Sequence, residues 1–121
     1  MTNRKVGIVG AGAVGASAAY ALTLMGTCKE IVLFDVAPGV AQGKAIDIAQ
    51  AGHYAPQDTL VTHADVASDM KACDIVVVTA GVPRKPGMTR ADLLMINAKI
   101  MKDVVGNIMK NSPNAIIICV S

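Results

Sequence analysis

Aromatic side chains are almost missing from this sequence: there is no tryptophan, and Tyr20, Phe34 and Tyr54 are the full set. Nucleic-acid surfaces that stack bases need such rings, and the net charge of +2 comes without a basic cluster, so a nucleic-acid partner is excluded. Cysteine is scarce too. Cys28, Cys73 and Cys119 are odd in number, far apart and in mostly apolar surroundings, with no metal-ligand spacing. They read as buried, reduced thiols of a cytoplasmic protein, and no metal is expected. No apolar run is long enough to span a bilayer, and no basic start leads through an apolar stretch to a small-residue cleavage site. A membrane partner is therefore not expected.

What the sequence has in plenty is aliphatic. Hydrophobic residues make up 53% of its 121 positions, so the core must be built from Val, Ile, Leu, Ala and Met. One domain of this size buries roughly two-thirds of its unfolded surface. An aliphatic core suits a parallel sheet covered by helices on both faces.

The most informative stretch is Lys5 to Gly15. Val6, Ile8 and Val9 read as a buried strand that stops at Gly10, and from Ala13 the pattern becomes Ala-rich with helical spacing. Between them Gly10, Gly12 and Gly15 stand in the spacing G-x-G-x-x-G, with Ala11, Ala13 and Val14 as the intervening residues. The first glycine allows a tight turn, the second lets a pyrophosphate approach the backbone, and the third lets the helix pack closely. Phosphates would then face the free N–H groups of a helix N-terminus. Three glycines alone say little, but a second apolar strand, Glu30 to Asp35, ends in an acid twenty residues after Gly15. A carboxylate there meets the adenosine ribose. Asp35 also favours NAD over NADP, because a 2′-phosphate would bring like charge against it and no Arg follows in Val36-Ala37.

Further along, the pattern predicts helices over Ala13–Met25, Val40–Ala51 and from Thr89 to about Lys110, the last opened by a Thr89/Asp92 capping box. Strands are expected at Ile31–Phe34, Leu60–Thr62, Asp74–Thr79 and Ala115–Val120, and a loop with a helical turn at 65–72. Leu93, Leu94, Ile96, Ile100, Val104, Val105 and Ile108 form the apolar stripe of the last helix, with Met95, Met101 and Met109 as gap-fillers of the core. The alternation implies right-handed crossovers and a doubly wound α/β sheet in the order 3-2-1-4-5. The chain stops one residue past its fifth strand, where such a fold continues to a sixth. It reads as a fragment or an engineered minimal domain.

Ligands of such sheets sit beyond the carboxyl ends of the strands, where the strand order reverses. Four segments converge there: Gly10 to Gly15, Asp35-Val36, Thr79-Ala80-Gly81-Val82 and Val120-Ser121. Two prolines and two glycines make a loop of 80–89, which carries Arg84, with Lys85 and, just beyond, Arg90. Such a loop suits a lid, and paired guanidiniums suit a ligand with more than one carboxylate. By pattern alone a solvated basic loop is the stronger reading.

These motifs together, Gly10–Gly15, Phe34-Asp35, Thr79-Ala80-Gly81 and above all Pro83 to Leu94, resemble the lactate/malate dehydrogenase family over the whole chain, most closely its lactate-dehydrogenase-like malate dehydrogenases. The resemblance implies the NAD-binding Rossmann half of an enzyme that moves a hydride between malate and oxaloacetate. It implies that Arg90 helps bind substrate and polarise its carbonyl, and that Arg84 sits where malate enzymes carry Arg and lactate enzymes usually Gln. Oxaloacetate has a second carboxylate to satisfy and pyruvate only a methyl, which agrees with Arg84. By the same resemblance Asn97, otherwise a polar helix residue facing solvent, should reach the cofactor. Val120 (through its backbone) and Ser121 should lie beside the nicotinamide, and the Val40–Ala51 helix should pack across a dimer interface. The family's proton-transferring His and its Asp belong to a downstream half that this sequence does not include. His53 and His63 lie away from the nicotinamide in this topology and are not substitutes. NAD(H) binding with little or no turnover is the expectation; a non-catalytic dinucleotide-binding module and a lactate dehydrogenase fragment are the alternatives.

Overall fold

Strand β1 (Thr2–Val9) is the middle of a five-stranded parallel sheet in the order β3-β2-β1-β4-β5, in a computed structural model that describes residues 2–120. The other strands are β2 (Cys28–Phe34), β3 (Leu60–Ala64), β4 (Ile75–Val78) and β5 (Ile116–Cys119); the helices are α1 (Ala13–Met25), α2 (Val40–Ala51) and α3 (Arg90–Asn111). Short 3-10 turns follow α2 at Gly52–Tyr54 and β3 at Ala67–Asp69. The doubly wound order expected from the alternation is the one observed. Strand boundaries differ by a few residues: β2 begins three residues earlier, at Cys28, β3 runs on to Ala64, and β4 and β5 are each one residue shorter at both ends.

A strand covered on both faces must be apolar at every position, because successive side chains point to opposite sides. β1 and β2 do this. Val6, Ile8, Ile31 and Leu33 pack against α1 and α2, whereas Val9 and Val32 face α3 together with Val76 and Val78 of β4. Burying one such aliphatic side chain is worth about 1.5–3 kcal/mol. Small residues (Gly15, Ala19 and Thr23) form the inward side of α1 and bring it close to the sheet. At its end Gly26 takes the left-handed conformation (φ 63°), and its N–H donates to the carbonyls of Leu22 and Thr23. α3 starts at the expected capping box, with the Asp92 N–H donating to Thr89 Oγ1 and the Thr89 N–H to the Asp92 carboxylate, both at 3.1 Å.

Three expectations about the core fail on the α3 side. Only Ile108 of the proposed stripe is buried; Ile100 and Val104 are partly so, and Leu94 is 70% exposed. Met95 and Met109 are exposed, so of the three methionines only Met101 packs against the core, and the buried methionine is Met70. Cys119 is exposed, unlike Cys28 and Cys73. The first turns of α3 leave Leu94 and Met95 uncovered, Met109 stands exposed in the last turn beside the buried Ile108, and β5 is an edge strand whose Ile116 and Ile118 are exposed like Cys119. Apolar spacing reports which residues share a face, not whether anything among the described residues covers it.

Candidate functional site

The chain reverses its winding between β1 and β4, whose carboxyl ends lie side by side with Val9 opposite Val78. The loop after β1 turns one way into α1, and the loop after β4 turns the other way towards α3. A cleft opens between them.

Its first wall is the glycine turn. Gly10 has φ +98°, a conformation that side chains rarely adopt, and its N–H donates to the Phe34 carbonyl at 2.8 Å. A β-carbon on Gly15 would collide with the Gly10 carbonyl oxygen, so this glycine is what lets α1 sit against the end of β1. Gly12 differs from both. A β-carbon there would meet no protein atom within 4 Å, so the space in front of it is open. Gly12 is also the N-cap of α1, with no side-chain cap and no acidic residue in the first turn. The first intrahelical bond is Ala16 N–H to Gly12 C=O at 2.9 Å. The N–H groups of the first turn therefore point out of the helix end, with its partial positive charge, into the cleft.

Asp35 stands at the end of β2 beside this turn. One carboxylate oxygen accepts from the Ala11 N–H at 2.8 Å and the other from the Ala37 N–H at 2.9 Å. A carboxylate has about four acceptor positions, so each oxygen can accept one more hydrogen bond. Thr79, the first residue after β4, clamps the turn from the opposite side: its hydroxyl lies within bonding reach of the carbonyls of Val9 (3.0 Å) and Gly10 (3.1 Å). Both residues were expected at the cleft, but as ligand contacts. That they also hold the glycine turn in shape was not legible, because no spacing rule links residues 24 and 69 apart in sequence.

A cavity of about 350 Å³ runs from Gly10 and Gly12 past Asp35 and Val36 to Ala80 and Gly81. Its far wall is Ile100 and Val104 of α3, which the sequence suggested only as core. Both follow Asn97 at helical spacing, the one signal that could have placed them there. A second cavity of about 620 Å³ continues along the carboxyl ends of β4 and β5, where Val14, Thr79, Gly81, Asn97 and Val120 take part in its lining. Val120 is held through its backbone, N–H to the Val78 carbonyl at 2.8 Å. Ser121 lies outside the described residues.

Asn97 anchors the loop after β4. Its Oδ1 accepts from the Val82 N–H at 2.9 Å, and its Nδ2 donates to the Val82 carbonyl at 3.4 Å. The basic residues are not brought into either cavity. Arg84 folds across its own loop, with Nε donating to the Met88 carbonyl at 3.1 Å, and Arg90 is exposed at the first position of α3. His53 and His63 line a separate groove between α2 and β3, where His63 Nε2 is 3.3 Å from an Asp65 carboxylate oxygen. Among the described residues no three of His, Cys, Asp or Glu are grouped so as to hold a metal ion, and no helix is long and apolar enough to cross a membrane.

A glycine turn feeding an uncapped helix, a carboxylate at the end of the neighbouring strand and a cleft at the reversal of strand order define a dinucleotide-binding α/β domain. Residues 4–121 match the family model for the lactate/malate dehydrogenase, NAD binding domain, and the chain belongs to that family. It is 54% identical over 118 residues to a malate dehydrogenase of Sulfurimonas denitrificans, covering 98% of this chain and 37% of that protein. Among solved structures, malate dehydrogenase from Archaeoglobus fulgidus in complex with NADH superposes with a TM-score of 0.90 at 41% identity, over 97% of this chain and 40% of that one. A lactate dehydrogenase from a Medee basin deep-sea metagenome library superposes at 0.92 with 42% identity, over 100% and 38%. The chain thus spans about two-fifths of the length of the relatives it matches.

Proposed function

We propose that this domain binds NAD(H) and is the cofactor half of a malate dehydrogenase. The observation that carries the reading is the open α1 mouth: an uncapped N-terminus faced by Gly12, with nothing of the protein in front of it and Asp35 beside it. An anion is what an uncapped helix end accepts, and a pyrophosphate has the charge and reach to lie along Gly10 to Gly15. The remaining acceptor positions of the Asp35 carboxylate suit the two hydroxyls of the adjoining ribose. Val36, Ile100 and Val104 offer apolar walls to a flat base. NAD, when bound, supplies a nicotinamide ring able to take or give a hydride.

The chain's own residues then have separable tasks. The α1 mouth, with Ala11, Ala13 and Val14 around it, holds the diphosphate. Thr79, Ala80 and Gly81 hold the cleft open at its middle, and Asn97 keeps the following loop against α3. Val120 lines the nicotinamide end of the cleft. Arg84 meets the second carboxylate of malate or oxaloacetate, and Arg90 helps bind the substrate and polarise its carbonyl, once the 80–89 loop swings over the cleft. The family resemblance at Pro83 to Leu94, and the arginine rather than glutamine at position 84, support malate over lactate. Association through α2 also belongs to this reading: Ile46 is exposed on that helix beside an apolar groove with Val61. The buried free thiols Cys28 and Cys73 suit a reducing, cytoplasmic setting.

Among the described residues no His, Asp, Glu or Lys lines the cavity along β4 and β5 to act as a general acid or base for the substrate hydroxyl, and losing such a group costs about 10²–10⁴-fold in rate. NADH fluorescence titrated with the chain should change saturably, while malate added with NAD produces little or no NADH. Steady malate oxidation by this chain would overturn the division of labour proposed here.

A further inference from the structure

We propose that Asp103, seconded by Asn107, reads the exocyclic amine of the adenine base, so that the domain selects an aminopurine over a 6-oxopurine. The inference rests on the NAD(H) reading above and assigns a specificity residue within it. Beyond the cofactor cleft lies a further cavity of about 280 Å³. The two share Val9, Phe34, Val36, Ile100 and Val104, so they adjoin along β1, β2 and α3. With the diphosphate at α1 and the ribose at Asp35, this is the direction left for the base. Its lining is apolar (Ala67, Met70 and Ile108 close the far end) except for two residues, Asp103 and Asn107.

These two are four positions apart on α3 and so share one helix face. Both are exposed, and among the described residues the Asp103 carboxylate makes neither a hydrogen bond nor an ion pair; the Asn107 side chain is likewise unengaged, its backbone carbonyl accepting from Asn111 Nδ2 at 2.9 Å. A carboxylate can only accept hydrogen bonds. Placed at the edge of an apolar slot, it therefore favours a ring that presents N–H groups outward. The 6-amino group of adenine offers two N–H donors at that position, whereas hypoxanthine puts an oxygen there that a carboxylate repels and keeps an edge N–H only at N1. Charge-assisted bonds are about twice as strong as neutral ones, which is enough to discriminate even at a partly wet edge.

Fluorescence titrations with NADH and with reduced nicotinamide hypoxanthine dinucleotide test this directly. The unaltered chain should prefer NADH by about tenfold, the scale of one hydrogen bond to a charged group. In Asp103→Ala the preference should fall to within about twofold of unity, chiefly through weaker NADH binding. Asp103→Asn, whose amide can either accept from the amine or donate to the 6-oxo group, should bind both alike. Neither replacement removes a contact of the folded chain. An unchanged preference in Asp103→Ala, with NADH still bound, would overturn the role of Asp103 and leave the cofactor reading intact. An unaltered chain indifferent to NADH would overturn the cofactor reading, and this inference with it.

Discussion

The two sides of the sheet are built differently. Against α1 and α2 the core is closed: Ile8, Ile31, Leu33 and Ala19 have no exposed surface at all. Against α3 only the C-terminal turns are sealed, and Leu94, Met95 and Ile96 stand in solvent. The glycine turn, α1 and Asp35 belong to the closed side and are held by bonds from three elements. The basic loop and the start of α3 belong to the open side and are held chiefly by Asn97 and the Thr89 cap. On the proposed reading the glycine turn and Asp35 are preformed for a dinucleotide, and the basic loop has few fixed contacts to break before closing over a substrate. Rigid positioning lowers the cost of binding, while a loop that must close over a substrate needs few fixed contacts.

The contrast can be broken first by truncating one leucine on each side. Leu33→Ala should cost about 2–5 kcal/mol in urea unfolding, as for other fully buried leucines. Leu94→Ala should stay within about 0.5 kcal/mol, as exposed positions do. Equal losses would mean that α3 is as well covered as α1. The next largest effect belongs to the glycine turn. Gly15→Ala forces a methyl into the Gly10 carbonyl, and overpacking of this kind costs about 1–3 kcal/mol or more. NADH affinity should fall with it, since α1 must back away from β1. Gly12→Ala should leave the unfolding midpoint nearly unchanged yet still weaken NADH, because its space is open in the protein itself.

The thiols sharpen the comparison with a smaller effect. Cys119 should react with a thiol reagent at once, and Cys28 and Cys73 only on unfolding. Burial holds both inner thiols above their ordinary value of 9.0. Below that pH both are neutral in either state and their contribution to stability is intact. Above it the unfolded chain ionises while the folded chain does not, so stability drops as pH climbs from 9.0 towards the raised folded values. Urea midpoints at about pH 7.5 and about pH 9.5 should show the decline, and alanine at both positions should reduce it.

Most of the closed side was legible in the sequence. The apolar runs Val6–Val9 and Ile31–Phe34 read as doubly covered strands, and Gly10 to Gly15 followed by Asp35 specifies a turn, a helix and an acid at the end of the neighbouring strand by local chemistry. The Thr89/Asp92 cap was equally plain, because it is a bond between near neighbours. The open side was misread at Leu94, Met95, Met109 and Cys119. Their periodicity is sound, but exposure depends on what lies across from them, and a pattern within one helix or strand does not carry that. The clamps from Asp35 to Ala11 and from Thr79 to Gly10 were hidden for a related reason: they join distant parts of the chain that only the completed sheet brings together.

Everything in the functional account depends on the α1 mouth receiving a diphosphate while Asp35 receives an unphosphorylated ribose. Calorimetric titration of the chain with NADH and, in parallel, with NADPH tests both halves at once. NADH should bind with measurable heat and NADPH at least about tenfold more weakly, the scale of one like-charge contact at a protein surface. No heat with NADH, or equal affinity for the two, would contradict the account.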